Sequence, residues 1–535
     1  IPGCPRVKIG KALDYFKKLE KRLKGNRKLP RWVGELYLEY HRGTYTSIAR
    51  NKRFNRKCEF IYQDAEMLSV MGKYAAGREE YPQEKINNGW ETLLLNQFHD
   101  ILPGSSIKEV YEDSKKQYLA ISKTGRDLIN DAIKGIASKI SIKNAAVIVF
   151  NQLGFERSDI VEVELPREYN AVEIIGDDGN VLPSQFITEA DCVQEEVCGN
   201  GNVTKAKEPE NQGKRKILFF AENVPSKGYK AFKIRQADNV KTSAATAGSN
   251  ESIMMNSIGI DSLSNDFFNI KFDENCNITS IYDKLNCREV VKEGQKANVL
   301  QAFEDKPHNY DAWDINIYYQ EKMWEINDVE SVKIVENGPV RTAVKIVRRF
   351  LDSVIEQHVY IYNRVPRIDF KTRIDWKEKQ ILLKVAFPVD VYSNKATFDI
   401  QYGNVERPTH WNTGWDFARF ETVAHKWVDV SEDDYGVSLL NESKYGHNIK
   451  DGVMKISLLK SATYPNTEAD REIHEFAYSL YPHKGDWREG NTVKTAYFFN
   501  CPMYSIMENP HTGVLPVKFS LVGINKENVV IEVIK

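Results

Sequence analysis

The spacing of apolar residues changes near residue 140, and this change constrains the fold more than any other feature of the sequence. Before it, apolar residues recur every three to four positions, which is the period of an amphipathic helix. After it, short runs of β-branched and aromatic residues are separated by turn residues, a pattern typical of strands. A chain with these patterns in this order folds into packed helices first and packed sheets afterwards.

Four helices are predicted in the first part of the chain. One covers 11–23, a long one follows Ser47, a third carries Trp90, Leu93, Leu94 and Phe98, and a fourth follows Pro103-Gly104. The sequence Ser106-x-x-Glu109 predicts a capping box at the start of the fourth helix. Antiparallel packing would bury the apolar faces of the long helices, so about 45–140 is predicted to form a helical bundle.

Beyond residue 145 nearly every predicted element is a strand, as at 147–150, 161–165, 267–272 and 529–533. Strands without long helices between them pack as antiparallel sheets. The predicted fold class is therefore α+β and multidomain, with a helical bundle of the three-helix type followed by large antiparallel β-sandwich domains.

Charge and cysteine content exclude several classes of protein. The 535 residues include 74 basic and 75 acidic side chains, a balance that argues against nucleic acid or an anionic membrane as the main partner. The 7 cysteines are scattered and include no Cys-x-x-Cys, so neither a disulfide framework nor a thiolate zinc site is predicted. With no long apolar run and no signal peptide at the start, a cytoplasmic protein is expected. The first residue is Ile1 rather than Met, which suggests a fragment.

The pair His99-Asp100 lies after the apolar run 90–95 and directly before the Pro103-Gly104 break. A rigid helix end fixes the direction of a side chain, so His99 is a candidate metal ligand. Asp100 is a candidate for orienting either that imidazole or the substrate. One histidine is not a metal site, and the alternative is that His99 only makes a hydrogen bond near the helix end.

Three segments of the predicted β region are dense in aromatic and charged residues, at 308–314, 406–416 and 481–487. Aromatic rings stack on the C–H faces of sugars, and carboxylates and amides bind sugar hydroxyls. Asp311, Trp313 and Asp314 are therefore candidate residues of a sugar pocket. The alternative for all three segments is a buried polar network that fixes loops between sheets.

Three separated motifs carry a resemblance to a known family. They are GELYLEYHRGTYT at 34–46, NQFHDILPGSS at 96–106 and RPTHWNT at 407–413, with shorter matches at 311–314, 435–437 and 444–446. In this order they resemble the glycoside hydrolase family 38 α-mannosidases, and most closely the cytosolic and bacterial branch. The matches extend over most of the chain.

The resemblance implies a barrel-like α/β domain, then a three-helix bundle and several β domains. It implies one zinc ion, held by a His-x-Asp motif, by an aspartate that is also the nucleophile, and by a histidine of the helical region. His99 matches that last histidine, with Asp100 beside it, and other divalent metals could take the place of zinc. The implied reaction is retaining hydrolysis of α-mannosides by a carboxylate nucleophile and a carboxylic acid.

The chain departs from the family pattern because it contains no His-x-Asp sequence. We therefore expect the nucleophile and the acid upstream of Ile1, no catalytic residue in this chain, and no activity of the chain alone. His41, Arg42 and Tyr45 are expected to line the catalytic cleft where barrel and bundle meet. The alternative for Arg42 is a structural pairing with the C-terminus of a helix.

Four domains are expected on these grounds. They are the tail of the catalytic α/β barrel at 1–31, the helical bundle at 32–140, a first β-sandwich at 145–240 and a large C-terminal β-sandwich at 253–535. The expected ligands are an α-mannoside substrate and zinc, with no nucleic acid and no membrane, and a homo-oligomer is compatible with such a large β assembly. The alternative function is a carbohydrate-binding or assembly module without chemistry of its own.

Overall fold

The computed structural model describes residues 3–169, 171–187, 214–236, 253–255, 260–526 and 528–535. The chain divides into two compact units, 1–38 and 39–535. The first unit contains helix α1 (Ala12–Leu23), which confirms the helix predicted at 11–23. This helix ends where the Lys24 amide donates to the carbonyl of Glu20 and Gly25 turns the chain with a positive φ of 83°.

The second unit begins with two 3-10 turns, Glu39–His41 and Gly43–Tyr45, followed by three long helices that confirm the helical prediction. These are α2 (Ala49–Tyr74), α3 (Gln83–Asn96) and α4 (Lys108–Ala137). Buried Tyr62 of α2 donates from its hydroxyl to the carbonyl of Ile121 in α4 at 2.9 Å. Its ring also occupies the space beside Gly89 of α3, where a Cβ would lie 2.0 Å away. Glycine at this position therefore lets α3 approach α2 closely.

The predicted capping box at Ser106-x-x-Glu109 is wrong. Helix α4 begins after Ile107, and no side chain caps it. The Ser106 hydroxyl instead donates to the carbonyl of Asp100 at 2.6 Å. The preceding loop uses this side chain, so it is not free to cap the helix.

The first β region consists of two antiparallel sheets with a hydrophobic core between them. Alternate residues of β1 face opposite ways: Val147 and Val149 enter this core, whereas Ile148 and Phe150 pack on the helical bundle. The sheet thus joins the helices to the β regions. The strands that precede residue 240 are β1 (Ala146–Asn151), β2 (Arg157–Pro166), β3 (Val172–Ile175), β4 (Val181–Leu182), β5 (Ser184–Ile187), β6 (Lys214–Val224) and β7 (Gly228–Gln236).

The second β region is larger and contains antiparallel sheets of five, six and nine strands. One continuous core joins their inner faces and includes Phe370, Phe387 and Tyr478. Its strands are β8 (Ile253–Met255), β9 (Ile260–Ser264), β10 (Phe268–Phe272), β11 (Ile278–Asp283), β12 (Arg288–Glu289), β13 (Val299–Glu304), β14 (Met323–Glu325), β15 (Asp328–Asn337), β16 (Arg341–Phe350), β17 (Ser353–Tyr362), β18 (Ile368–Asp375), β19 (Ile381–Pro388), β20 (Lys395–Ile400), β21 (Gly403–Pro408), β22 (Thr422–Val423), β23 (Trp427–Ser431), β24 (Tyr435–Asn441), β25 (Gly446–Lys450), β26 (Val453–Lys460) and β27 (Ile473–Lys484).

The nine-stranded sheet has the order β15-β16-β17-β18-β27-β24-β23-β20-β21, and the six-stranded sheet has the order β14-β13-β19-β26-β25-β22. A short helix, α5 (Gly414–Ala418), and a 3-10 turn (Ile317–Glu321) connect strands of this region, and a second short helix, α6 (Thr492–Asn500), follows β27. The helices followed by antiparallel sheets confirm the predicted α+β fold class.

The last part of the chain returns to the first β region. Strand β28 (Tyr504–Glu508) pairs with β1, and β29 (Lys518–Ser520) pairs with β7. The range 253–535 expected for the C-terminal domain therefore includes strands that belong to an earlier sheet. The strand predicted at 529–533 is wrong, because residues 528–535 contact Gly154 and Lys227 of the first β region without joining a sheet. The described residues include no helix long and apolar enough to cross a membrane.

Candidate functional site

The loop between α3 and α4, residues 97–107, carries the candidate metal ligand and is called the His99 loop below. It leaves α3 in tight turns, in which the amides of Ile101 and Leu102 donate to the carbonyl of Phe98 at 2.9 and 3.1 Å. Gly104 then adopts a positive φ of 90°. A Cβ at this glycine would lie 2.3 Å from the carbonyl oxygen of Ser47. The Pro-Gly break in the sequence thus seats the loop directly on the residues that precede α2.

His99 and Asp100 lie next to each other at the surface of this loop. The imidazole is 79% exposed, and its Nε2 lies 3.4 Å from Oδ2 of Asp100. Asp100 in turn accepts a hydrogen bond from the hydroxyl of Ser105 at 3.2 Å. The carboxylate is therefore placed to orient the imidazole, while most of the ring is open to a ligand.

Tyr111 holds the base of the His99 loop from the first turn of α4. Its hydroxyl accepts from the amide of Ser106 at 2.8 Å and lies 3.3 Å from the carbonyl of Ile101, to which it donates. Burial raises the pKa of Tyr111 to about 12, so the hydroxyl keeps its proton at physiological pH. The loop thus has a fixed base and an exposed tip.

The segment 41–47, expected to line a cleft, places its side chains differently from one another. His41 is exposed and Tyr45 is half-buried, whereas Arg42 is buried. The Arg42 guanidinium donates to the carbonyl of Ala418, the last residue of α5, at 2.7 Å from Nη2 and 3.2 Å from Nε. It also lies over the ring of Phe420. These contacts match the alternative expectation for Arg42, a structural pairing with a helix C-terminus.

The candidate carboxylates Asp311 and Asp314 bind different partners. Asp311 accepts from the amide and the hydroxyl of Thr463 at 2.5 and 3.0 Å. Asp314 lies 3.4 Å from Nη1 of Arg42. Burial raises the pKa of Asp314, although the positive charge of Arg42 opposes this shift. The two carboxylates are thus held by different segments, Asp311 by the residues after β26 and Asp314 by Arg42.

A small hydrophobic cluster joins the segments that carry the predicted site residues. Trp313 and Ile101 pack against it from the β region and from the His99 loop. Two hydrogen bonds add to this packing: the Gly43 amide donates to the carbonyl of Trp313, and the Ser47 hydroxyl donates to the carbonyl of Ala312, both at 2.7 Å. Three segments far apart in sequence thus meet at one place. The members of the cluster are Ile48, Tyr111, Ala312, Ala462 and Ala469.

Two charged residues at this meeting point were not predicted from the sequence. Asp470 caps α2, because its two carboxylate oxygens accept from the amides of Ile48 and Ala49 at 2.9 and 2.7 Å. Lys52 is buried, and its Nζ contacts backbone carbonyls of the His99 loop. No sequence signal identifies Asp470, since its partners lie more than 400 residues away. No sequence signal identifies Lys52 either, because it lies on the side of α2 opposite the apolar stripe that includes Cys58, Ile61 and Ala65.

The other aromatic segments make mainly structural contacts. Thr413 and Asp416 form a capping box on α5, and the Lys450 ammonium lies 3.6 Å from the ring centroid of Trp411. In the third segment, Tyr481 donates to the carbonyl of Gly490 at 2.6 Å. These contacts agree with the alternative of loop-fixing networks.

A zinc site needs three or four protein ligands. Among the described residues, no group of three or more His, Cys, Asp or Glu side chains is placed to hold a metal ion. His99 offers one donor, with Asp100 behind it. The described residues therefore do not form a complete zinc site by themselves.

Comparison with known proteins gives two family matches in sequence order. Residues 39–136 match the alpha mannosidase middle domain, and residues 263–468 match the glycosyl hydrolases family 38 C-terminal domain. Together they cover more than half of the chain.

Two curated relatives align with the whole of this chain. Alpha-mannosidase G of Dictyostelium discoideum is 32% identical over 569 residues, which cover 100% of this chain and 48% of that protein. Alpha-mannosidase 2C1 of Homo sapiens is 30% identical over 536 residues, which cover 100% and 46%. The chain thus spans about half the length of the curated relatives it matches. The crystal structure of an alpha-mannosidase from Enterococcus faecalis V583 shares the fold, with a TM-score of 0.73 at 19% identity over 95% of this chain and 63% of that one.

Proposed function

Because the chain belongs to glycosyl hydrolase family 38, whose middle and C-terminal domains it contains, we propose that it is part of an α-mannosidase. The relatives that match it from end to end carry that name. The observation that carries the proposal within the structure is the exposed His99–Asp100 pair on a loop with a rigid base. The proposed reaction is retaining hydrolysis of an α-mannoside by two carboxyl groups.

We propose His99 as one ligand of a zinc ion, with Asp100 orienting its ring. When bound, zinc supplies positive charge that fixes the sugar hydroxyls. Since the described residues supply one donor and not the three or four that zinc requires, the remaining ligands are proposed to lie outside them. The same holds for the nucleophile and the acid. The described residues contribute the His99 imidazole and the scaffold that fixes the position of the His99 loop.

The 535-residue chain is accordingly proposed to be inactive alone. The assay is hydrolysis of an aryl α-mannoside by the purified chain with added zinc, beside a heat-killed sample. We expect no difference between the two. Turnover well above the heat-killed control would show that these residues contain a complete site.

The function itself is tested in the complete gene product. We expect His99→Ala to lower kcat/KM for the aryl α-mannoside by about 100-fold or more. Loss of a residue that only hydrogen-bonds a metal ligand lowers activity about 10- to 100-fold, and loss of the ligand itself should lower it further. His511→Ala is the matched control: the His511 ring contacts the carbonyl of Ala137, the last residue of α4. That helix has 30 residues, so His511 lies about 45 Å from the His99 loop.

The control variant is expected to keep the kcat/KM of the unsubstituted protein. Full activity of His99→Ala would remove His99 from the site. A complete gene product that bound mannose but did not hydrolyse the aryl α-mannoside would instead indicate a carbohydrate-binding module.

A cytoplasmic location is proposed as well. The described cysteines, Cys4, Cys58, Cys276, Cys287 and Cys501, are all free thiols, as expected in a reducing compartment.

A further inference from the structure

Lys52 lies in the first turn of α2 and is almost completely buried, with 4% of its surface exposed. Its Nζ donates to three backbone carbonyls, those of Ser47 at 2.5 Å, Leu102 at 3.0 Å and Pro103 at 3.3 Å. The first of these belongs to the segment before α2, and the other two belong to the His99 loop. One side chain therefore ties the two segments together.

An ammonium group suits this position because it carries three donors and no acceptor. Each of the three carbonyls accepts one N–H, and bonds to a charged donor are stronger than bonds between neutral groups. Because the charge is buried, losing any one of these carbonyls would leave an N–H of the ammonium without an acceptor, which costs free energy.

We infer that Lys52 is a positioning residue of the proposed mannosidase site, which holds the His99 loop in the conformation that presents His99. The role of Lys52 in catalysis rests on the proposed function, whereas its role in fixing the conformation of the His99 loop does not. The Nζ of Lys52 bonds to backbone carbonyls and not to the side chains of His99 or Asp100. It acts through the backbone, three and four residues beyond the imidazole.

Burial of the Lys52 ammonium makes the tie sensitive to pH. Burial lowers the pKa of Lys52 to about 7; Asp470 opposes this shift and Lys444 adds to it. Asp470 is itself the cap of α2, and Lys444 donates to the carbonyl of Leu458 in the β region. A neutral amine has two N–H donors, so deprotonation removes one of the three bonds to the carbonyls.

The experiment is hydrogen–deuterium exchange of the 535-residue chain, followed by mass spectrometry of peptides that span 97–106. The reporting amides are those of Ile101, Leu102 and Gly104, which donate within the loop. We expect Lys52→Met to reduce their protection about tenfold or more, since the loop then opens without breaking bonds to a charged donor. Lys52→Arg keeps charged donors and is expected to restore part of the protection.

Lys227→Met is the matched control. Lys227 is equally buried, and its Nζ donates to the carbonyls of Gln152 and Glu532 at 2.9 and 2.8 Å, in the first β region. This variant removes an equally buried lysine that does not contact the His99 loop. We expect the loop amides to stay within about twofold of the unsubstituted chain.

Protection in Lys52→Met that matched the Lys227→Met control would overturn the inference. If Lys52→Met fails to fold, the unsubstituted chain supplies the test: the protection of the loop amides, corrected for intrinsic exchange, should fall between pH 6 and pH 8.5 relative to amides of β1. Unchanged relative protection would equally overturn it. Neither measurement involves zinc or mannoside. The inference about Lys52 can therefore fail while the proposed function holds, and the reverse is also possible.

Discussion

Replacing Gly104 by alanine tests how tightly the His99 loop is seated on the start of α2. Gly104 has a φ of +90°, and a Cβ there would lie 2.3 Å from the Ser47 carbonyl oxygen and 2.6 Å from its carbonyl carbon. The left-handed conformation costs an alanine about 1–2 kcal/mol. The overlap adds about 1–3 kcal/mol, because backbone atoms on both sides must move apart. Gly104→Ala should therefore lower the free energy of unfolding by about 2–5 kcal/mol.

Gly179→Ala separates the two contributions. Gly179 has a φ of +80°, and no heavy atom lies within 4 Å of the position its Cβ would take. This variant carries the conformational cost alone, about 1–2 kcal/mol. Urea titration followed by circular dichroism measures both variants. Equal losses of stability in the two would refute the reasoning, because the Ser47 backbone would then not confine the loop.

Two further perturbations test the links between the helical bundle and the β region. Asp470→Ala leaves the amides of Ile48 and Ala49 without their acceptor and should cost about 2–4 kcal/mol in urea titration; a loss below about 0.5 kcal/mol would contradict the capping role. Burial opposes the ionisation of Glu442, but Lys57 and other nearby cations lower its pKa from 4.5 to about 2. A depressed pKa means that this carboxylate stabilises the fold above about pH 4.5 and that the contribution disappears as the pH falls toward 2. Glu442→Gln should therefore remove about 3 kcal/mol at neutral pH and flatten the stability profile between pH 4.5 and 2; an unchanged acid profile would exclude Glu442 as its source.

Local periodicity made the fold class predictable. The helices at 49–74, 83–96 and 108–137 follow from apolar residues repeating every three to four positions, and the strands follow from short β-branched runs. The return of β28 to pair with β1 was not predictable, because pairing between strands about 350 residues apart leaves no trace in local spacing.

The candidate site was predictable only in part for a similar reason. The His99–Asp100 pair is local, and the structure places the two side chains side by side. The cap from Asp470 and the tie from Lys52 depend on tertiary contacts that the motifs do not encode. Ser106 shows the opposite failure, since a local capping pattern was present but a stronger contact within the loop took the hydroxyl.

Two expectations apply to Arg42, a residue of the catalytic cleft and a cation at a helix C-terminus. A cleft residue and a helix-terminal cation look alike in sequence. Its burial and its two bonds to the carbonyl of Ala418 agree with the second expectation. His41, Arg42 and Tyr45 remain predicted cleft residues, and Asp311, Trp313 and Asp314 remain predicted pocket residues.

The most direct test of the account is the zinc content of the complete gene product, measured by elemental analysis after dialysis against zinc-free buffer. The account predicts about one zinc ion per chain and loss of most of that zinc in His99→Ala, with His511→Ala keeping it. Zinc retained at the same stoichiometry in His99→Ala would contradict the claim that the loop between α3 and α4 supplies a ligand.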